Sequence, residues 1–157
     1  MHGRGIIIAM DTEGWKLDEL KRRARRAGAF NIEPRLIDST KAVKRLADSA
    51  DRVLIDAPCS GSGVLRRTPD SKWRDARENI RKLQSLQQEL LVRYTKMCKK
   101  GGIIVYSTCS IFPGENEKQV HSFIAGSSGA FRLLQERQLL PSAEGDGFYM
   151  AKIERLA

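Results

Sequence analysis

The chain has 157 residues, 41% hydrophobic and 30% charged, and carries 28 Lys and Arg against 19 Asp and Glu, a net charge of +9. That balance excludes intrinsic disorder as its ordinary state. No run approaches the roughly 18 apolar residues of a membrane span and no charged start leads into a signal-type apolar stretch, so the sequence reads as cytoplasmic.

Gly5 to Met10 is a short apolar run rich in β-branched residues and ending at Asp11, the pattern of a strand buried on both faces of a parallel sheet. Leu17, Leu20, Ala24 and Ala27 then repeat at helical spacing, with Gly28 as a stop. Ile32 to Ile37 predicts a second strand ending at Asp38, Lys41 to Ala50 a short helix, and Arg52 to Ala57 a third strand. Gly61, Gly63 and Pro69 mark a loop. Ile80, Leu83, Leu90, Tyr94 and Met97 form one stripe of a long helix from about Asp75 to Lys99, closed by Gly101-Gly102. Ile103 to Tyr106 is another buried strand, Glu115 to Ala125 a helix, and Phe148 to Ile153 a strand. Alternation of this kind is α/β, with a mostly parallel sheet and right-handed crossovers.

The basic excess lies in residues 1–102, which hold 23 basic and 13 acidic residues against 5 and 6 in residues 103–157. Clusters such as Lys21 to Arg26, Arg66 to Lys82 and Arg93 to Lys100 suit a polyanion, whose neutralised phosphates release counterions. They also suit the solvated faces of ordinary helices. Nucleic acid is favoured over membrane, because no basic segment carries a broad apolar face.

Asp11, Asp38 and Asp56 each close a strand, where open α/β sheets bind ligands. Such a carboxylate accepts ribose hydroxyls or an exocyclic amine, or else caps the turn that follows. Three cysteines, an odd number, argue for free thiols over a disulfide framework. Cys59, in Asp-Ala-Pro-Cys-Ser-Gly-Ser-Gly, and Cys109, in Tyr-Ser-Thr-Cys-Ser, both follow buried strands and are expected close together at one sheet edge. Cys98, inside the helix pattern, reads as a structural or surface thiol. With no Cys-x-x-Cys and neither His2 nor His121 near a cysteine, metal binding and a Cys–His pair are both poor alternatives.

Asp56-Ala57-Pro58-Cys59-Ser60-Gly61-Ser62-Gly63-Val64-Leu65-Arg66-Arg67-Thr68-Pro69-Asp70 to Trp73, with Tyr106-Ser107-Thr108-Cys109-Ser110 and Glu115-Asn116-Glu117, resembles the Sun-like RNA (cytosine-5) methyltransferases. Ile8 to Asp11 and Asp146 to Ala151 extend the resemblance to both ends. It implies a Rossmann-like methyltransferase sheet and transfer of a methyl group from S-adenosylmethionine to C5 of a cytosine in ribosomal or transfer RNA. The Thr-Cys cysteine, Cys109, is implied as the nucleophile that adds to C6, and the Pro-Cys cysteine, Cys59, as the group assisting C5 proton removal and enzyme release. Asp56 is implied at the cytosine N3 and amino edge and, with Pro58, beside the cofactor. Asp11 is implied at the cofactor ribose and Asp38 at its adenine. Arg66, Arg67, Lys72 and Arg74 are expected to hold RNA phosphates.

The family's first strand and Gly-rich turn do not appear in the sequence, and neither does its N-terminal RNA-binding region. The expectation is therefore a single, partial catalytic domain over residues 1–157, lacking the first strand and Gly-rich turn. A partner chain or a missing N-terminal segment would complete the sheet, and alone the chain would bind cofactor weakly. Two other classes are compatible with the same residues: a non-catalytic basic RNA-binding module, and a redox protein pairing Cys59 with Cys109.

Overall fold

The computed structural model describes residues 3–70 and 76–157. The chain forms two compact units, Met1–Arg45 and Leu46–Ala157.

The first unit contains β1 (Ile7–Asp11), α1 (Gly14–Arg26), β2 (Ile32–Leu36) and α2 (Thr40–Lys44). The strands pair in parallel, Ile7 opposite Ile32 and Asp11 opposite Leu36, so this is a βαβ unit. Leu17 is the buried residue of α1. The expectation of a first strand buried on both faces is corrected: Ile7 and Ile8 are 40% and 36% exposed. A two-stranded sheet with one main packing helix does not enclose both of its faces. The α2 helix is also shorter than the predicted Lys41–Ala50. Asp48 takes a left-handed conformation, φ 53°, which an α-helix does not accommodate.

The second unit contains β3 (Ala50–Asp56), α3 (Ala76–Tyr94), β4 (Cys98–Thr108), α4 (Glu117–Gly126), β5 (Phe131–Leu139) and β6 (Phe148–Arg155). Its sheet has the order β3-β4-β6-β5. β3 and β4 are parallel, whereas β6 runs antiparallel to both neighbours. The fold is α/β with a mixed sheet. β5 is not legible in the sequence because it is an edge strand, mostly exposed, with no sustained apolar alternation. β1 pairs with β2 alone and β3 with β4 alone among the described strands.

Val53, Ile55, Leu91, Ile104, Tyr106, Val120, Ala151 and Ile153 form the core of this unit. Alternation along β3 buries Val53 and Ile55 and leaves Leu54 71% exposed. The helix stripe is real but ends early: α3 stops at Tyr94, a 3-10 turn covers Thr95–Met97, and Cys98 opens β4 opposite Ala50. Cys98 is therefore a buried strand thiol rather than a helical one. The parallel ladder ends with Asp56 opposite Ser107, and the Ala57 N–H donates to the Ser107 carbonyl at 2.9 Å. Both cysteine loops consequently leave the sheet at the same end.

Candidate active site

Cys59 and Cys109 lie 50 positions apart in the chain, yet their Sγ atoms are 3.2 Å apart. The two thiols are unequal. Hydrogen bonding from Cys59 holds the Cys109 thiol down at about 7, against an opposing effect of burial. The same contact, reinforced by burial, pushes the Cys59 thiol far above the ordinary cysteine range. Cys109 is thus the more readily ionised of the two, and as it loses its proton it accepts the Cys59 S–H. The thiolate is the nucleophilic form of cysteine.

The loops carrying these thiols are joined by buried polar groups. Glu115, fully buried, accepts the Ser60 N–H at 2.9 Å, the Ser60 hydroxyl at 2.5 Å, the Ser110 hydroxyl at 2.6 Å and a Gln87 amide N–H at 3.1 Å. Gln87 also donates to the Pro58 carbonyl at 2.8 Å, while its own Oε1 has no hydrogen-bond partner among the described residues. Leaving a buried acceptor unpaired costs about 1–3 kcal/mol. Ser110 spends its proton on Glu115, so in the 3.1 Å contact between the Ser62 and Ser110 hydroxyls it is Ser62 that donates. Asn116 accepts the Thr108 hydroxyl at 2.5 Å and donates to the Ser110 carbonyl at 2.8 Å, and the Tyr106 hydroxyl donates to the Glu115 carbonyl at 2.8 Å.

Gly63 locks a third segment to this assembly. Its N–H donates to the Cys109 carbonyl at 2.9 Å, and its carbonyl accepts the Gly147 N–H at 2.8 Å. There is no room for a side chain at either glycine. A Cβ on Gly63 would lie 2.3 Å from the Gly147 carbonyl oxygen, and one on Gly147 would lie 2.9 Å from Gly63 Cα.

The family model for the 16S rRNA methyltransferase RsmB/F matches residues 1–154. The chain belongs to that family. It is 36% identical over 155 residues to ribosomal RNA small subunit methyltransferase B of Yersinia enterocolitica, covering 94% of this chain and 36% of that protein. Among solved structures, PH0851 superposes with a TM-score of 0.90 at 32% identity, covering 98% of this chain and 38% of that one. NSun6 from Pyrococcus horikoshii, solved with SFG, gives a TM-score of 0.86 at 25% identity, covering 99% and 42%. The chain thus spans just over a third of the length of its Yersinia relative.

In this RsmB/F family member the residues expected at the site fall into groups. Cys59, Cys109, Pro58 and Asp56 share the end of the β3–β4 pair. Asp56 is exposed, with the Ser107 hydroxyl 3.5 Å from its carboxylate. Asp11 and Asp38 belong to the first unit. Asp11 accepts the Glu13 N–H at 2.8 Å, a turn-capping bond, and Asp38 accepts the Ser39 hydroxyl at 3.0 Å. Arg66 and Arg67 both ion-pair with Asp146, at 3.6 and 2.6 Å, and Arg66 also donates to the Ala143 carbonyl. Much of the remaining basic excess is paired within its own helix: Lys21 to Asp18, Arg22 and Arg23 to Glu19, Lys82 to Glu78, and Arg93 to Glu89. Lys72 and Arg74 lie outside the described residues.

The sequence reading assigned no role to Gln87, Ser60, Ser62, Ser110, Gly147 or Asp146. All but Gln87 stand inside the motifs that carry the resemblance, and Gln87 had a signal of its own. Gln87 stands four residues after Leu83 and three before Leu90, a polar side chain inside the apolar stripe of α3.

Proposed function

We propose that the site methylates C5 of a cytosine in RNA, ribosomal RNA foremost, through a covalent adduct between Cys109 and C6. The observation that carries this reading is the Cys59–Cys109 pair, whose sulfurs lie 3.2 Å apart, a contact that favours ionisation of Cys109. Cytosine C5 is too weak a nucleophile to take a methyl group unaided. Addition of the Cys109 lone pair to C6 forms the S–C6 bond, breaks the ring conjugation and leaves an enamine-like C5. Asp56 accepts the exocyclic amino N–H and orients the base, which must be unstacked to reach the thiolate.

Cys59 has two tasks in sequence. In the resting site its S–H stabilises the Cys109 thiolate. Once Cys109 is bound to carbon that negative charge is gone, and with it the principal cause of the raised Cys59 value. Cys59 then releases its proton to solvent and takes the proton from methylated C5. The electron pair left on C5 re-forms the C5–C6 double bond and expels Cys109 as a thiolate, which again accepts the Cys59 S–H.

S-adenosylmethionine, when bound, supplies the electrophilic methyl group. The acidic residues of the first unit suit its nucleoside half: Asp11 Oδ1 is engaged by Glu13, and Oδ2 takes no hydrogen bond among the described residues. A carboxylate oxygen so placed at a strand end fits a ribose hydroxyl, with Asp38 toward the adenine. The one-sided pairing of β3 leaves an edge for a further strand, from another segment of a longer protein or from a partner chain. Arg66 and Arg67, 56% and 72% exposed, would contact RNA phosphates.

The test is adduct formation by the full protein with RNA and S-adenosylmethionine on a denaturing gel. Cys59→Ala should accumulate a covalent RNA adduct and Cys109→Ala should abolish it. If neither substitution changes adduct formation, the assignment of both cysteines is wrong. RNA binding that is indifferent to Cys109→Ala, with no adduct in any variant, would favour the non-catalytic module.

A further inference from the structure

We propose that Glu115 is a positioning residue for the nucleophile: its buried carboxylate binds Ser60 of the Pro-Cys loop and Ser110 of the Thr-Cys loop together, and so holds the Cys59 and Cys109 sulfurs at 3.2 Å. The role rests on the reading of Cys109 as nucleophile.

The geometry is specific to a carboxylate. Four donors converge on two oxygens: Oε1 takes the Ser60 N–H and the Gln87 amide, and Oε2 takes the Ser60 and Ser110 hydroxyls. A carboxylate is acceptor-only and has about four lone-pair sites, so the match is complete. Ser60 and Ser110 each follow their cysteine by one residue. Glu115 therefore grips the backbone immediately beside each thiol, and its own carbonyl is held by Tyr106 of β4. Gln87 reaches from α3 to Glu115 and Pro58, so the carboxylate is braced against a helix as well as a strand. The negative charges of Glu115 and Asp56 by themselves oppose ionisation of Cys109. What Glu115 contributes in favour of the thiolate therefore comes through the two loops it holds together.

Glu115→Gln keeps the size but offers one acceptor oxygen and an NH2 group, against which the Ser60 and Ser110 hydroxyls must turn round to accept. The charge-assisted grip on both loops is lost, the Cys59 S–H reaches Cys109 less well, and this outweighs the opposite effect of removing a negative charge near the thiol. The measurement is the pH dependence of Cys109 alkylation by iodoacetamide, followed by mass spectrometry on the intact chain, with neither RNA nor cofactor present. The parent protein should titrate with a midpoint of about 7. In Glu115→Gln the midpoint should move toward the ordinary thiol value of about 8.5, slowing alkylation at pH 7 roughly tenfold.

Should Glu115→Gln fail to fold, Ser60→Ala and Ser110→Ala each remove one hydroxyl donor, from opposite loops, and each should raise the midpoint. Phe123→Leu, a core change outside the network, should leave it at about 7. A folded Glu115→Gln whose midpoint is unshifted or lowered overturns the proposal, as does an equal shift in Phe123→Leu. Because the readout involves no methyl transfer, a shifted midpoint beside a failed adduct assay sinks the cytosine reading and leaves the positioning role standing. Normal adduct formation by Glu115→Gln with an unshifted midpoint does the reverse.

Discussion

Replacing Gly63 by alanine would place a methyl carbon 2.3 Å from the Gly147 carbonyl oxygen, 2.7 Å from the Gly147 carbonyl carbon and 2.8 Å from the Cys109 carbonyl oxygen. All three are backbone atoms, so no side chain can swing away to make room. The loops must part, and two hydrogen bonds go with them: Gly63 N–H to Cys109 and Gly147 N–H to Gly63. Overpacking of this kind costs about 1–3 kcal/mol, and each weakened hydrogen bond adds about 0.5–1.5 kcal/mol. The sum is about 2–6 kcal/mol, which in a domain of this size lowers Tm by roughly 5–20 °C. Thermal unfolding followed by circular dichroism measures it, with Gly126→Ala as control, because nothing lies within 4 Å of a Cβ there. Displacing the Cys109 carbonyl should also slow alkylation of Cys109 at pH 7. A Gly63→Ala protein melting within 2 °C or so of the parent, with unchanged alkylation, would refute the claim that Gly63 locks these segments together.

Other changes test separate parts of the site. Cys59→Ala removes the S–H donor that lowers Cys109, so the alkylation midpoint should rise from about 7 toward the ordinary value. Below the new midpoint the variant is then the slower protein, and the difference vanishes at high pH, as a pH series would show. Tyr106→Phe strips the donor from the buried Glu115 carbonyl and should cost about 1–3 kcal/mol in urea unfolding. Asp146→Asn releases Arg66 and Arg67; the arginines are exposed while the carboxylate is largely buried, so stability should fall by about 1 kcal/mol. If the two arginines contact single-stranded RNA, the same change should steepen the salt dependence of binding, by roughly 0.7 in log–log slope per added phosphate contact. An unchanged slope would remove them from the RNA surface.

Local pattern was enough to read the first three strands, the stripe of α3 and the strand that leads into Cys109, because side-chain periodicity records which face of an element is covered. It was also enough for the two cysteine motifs and the family. It failed where coverage comes from elsewhere. β5 carries little apolar alternation because it lies at a sheet edge, and Ile7 and Ile8, apolar enough for a fully buried strand, remain partly exposed.

The thiol assignments divide in the same way. Composition and motif nominate Cys59 and Cys109, but which of them ionises more readily depends on a 3.2 Å contact across 50 residues of chain. Glu115 stands in a recognisable motif, yet its task is visible only once Ser60, Gln87 and Ser110, from three separate segments, are seen to converge on it. Arg66 and Arg67 read as phosphate contacts, and only the fold shows Asp146, distant in sequence, paired with both. What a residue is, and the period in which it recurs, are local properties that the sequence states outright. Its protonation and its orientation are set by neighbours brought within a few ångströms by folding, and those the tertiary structure alone decided.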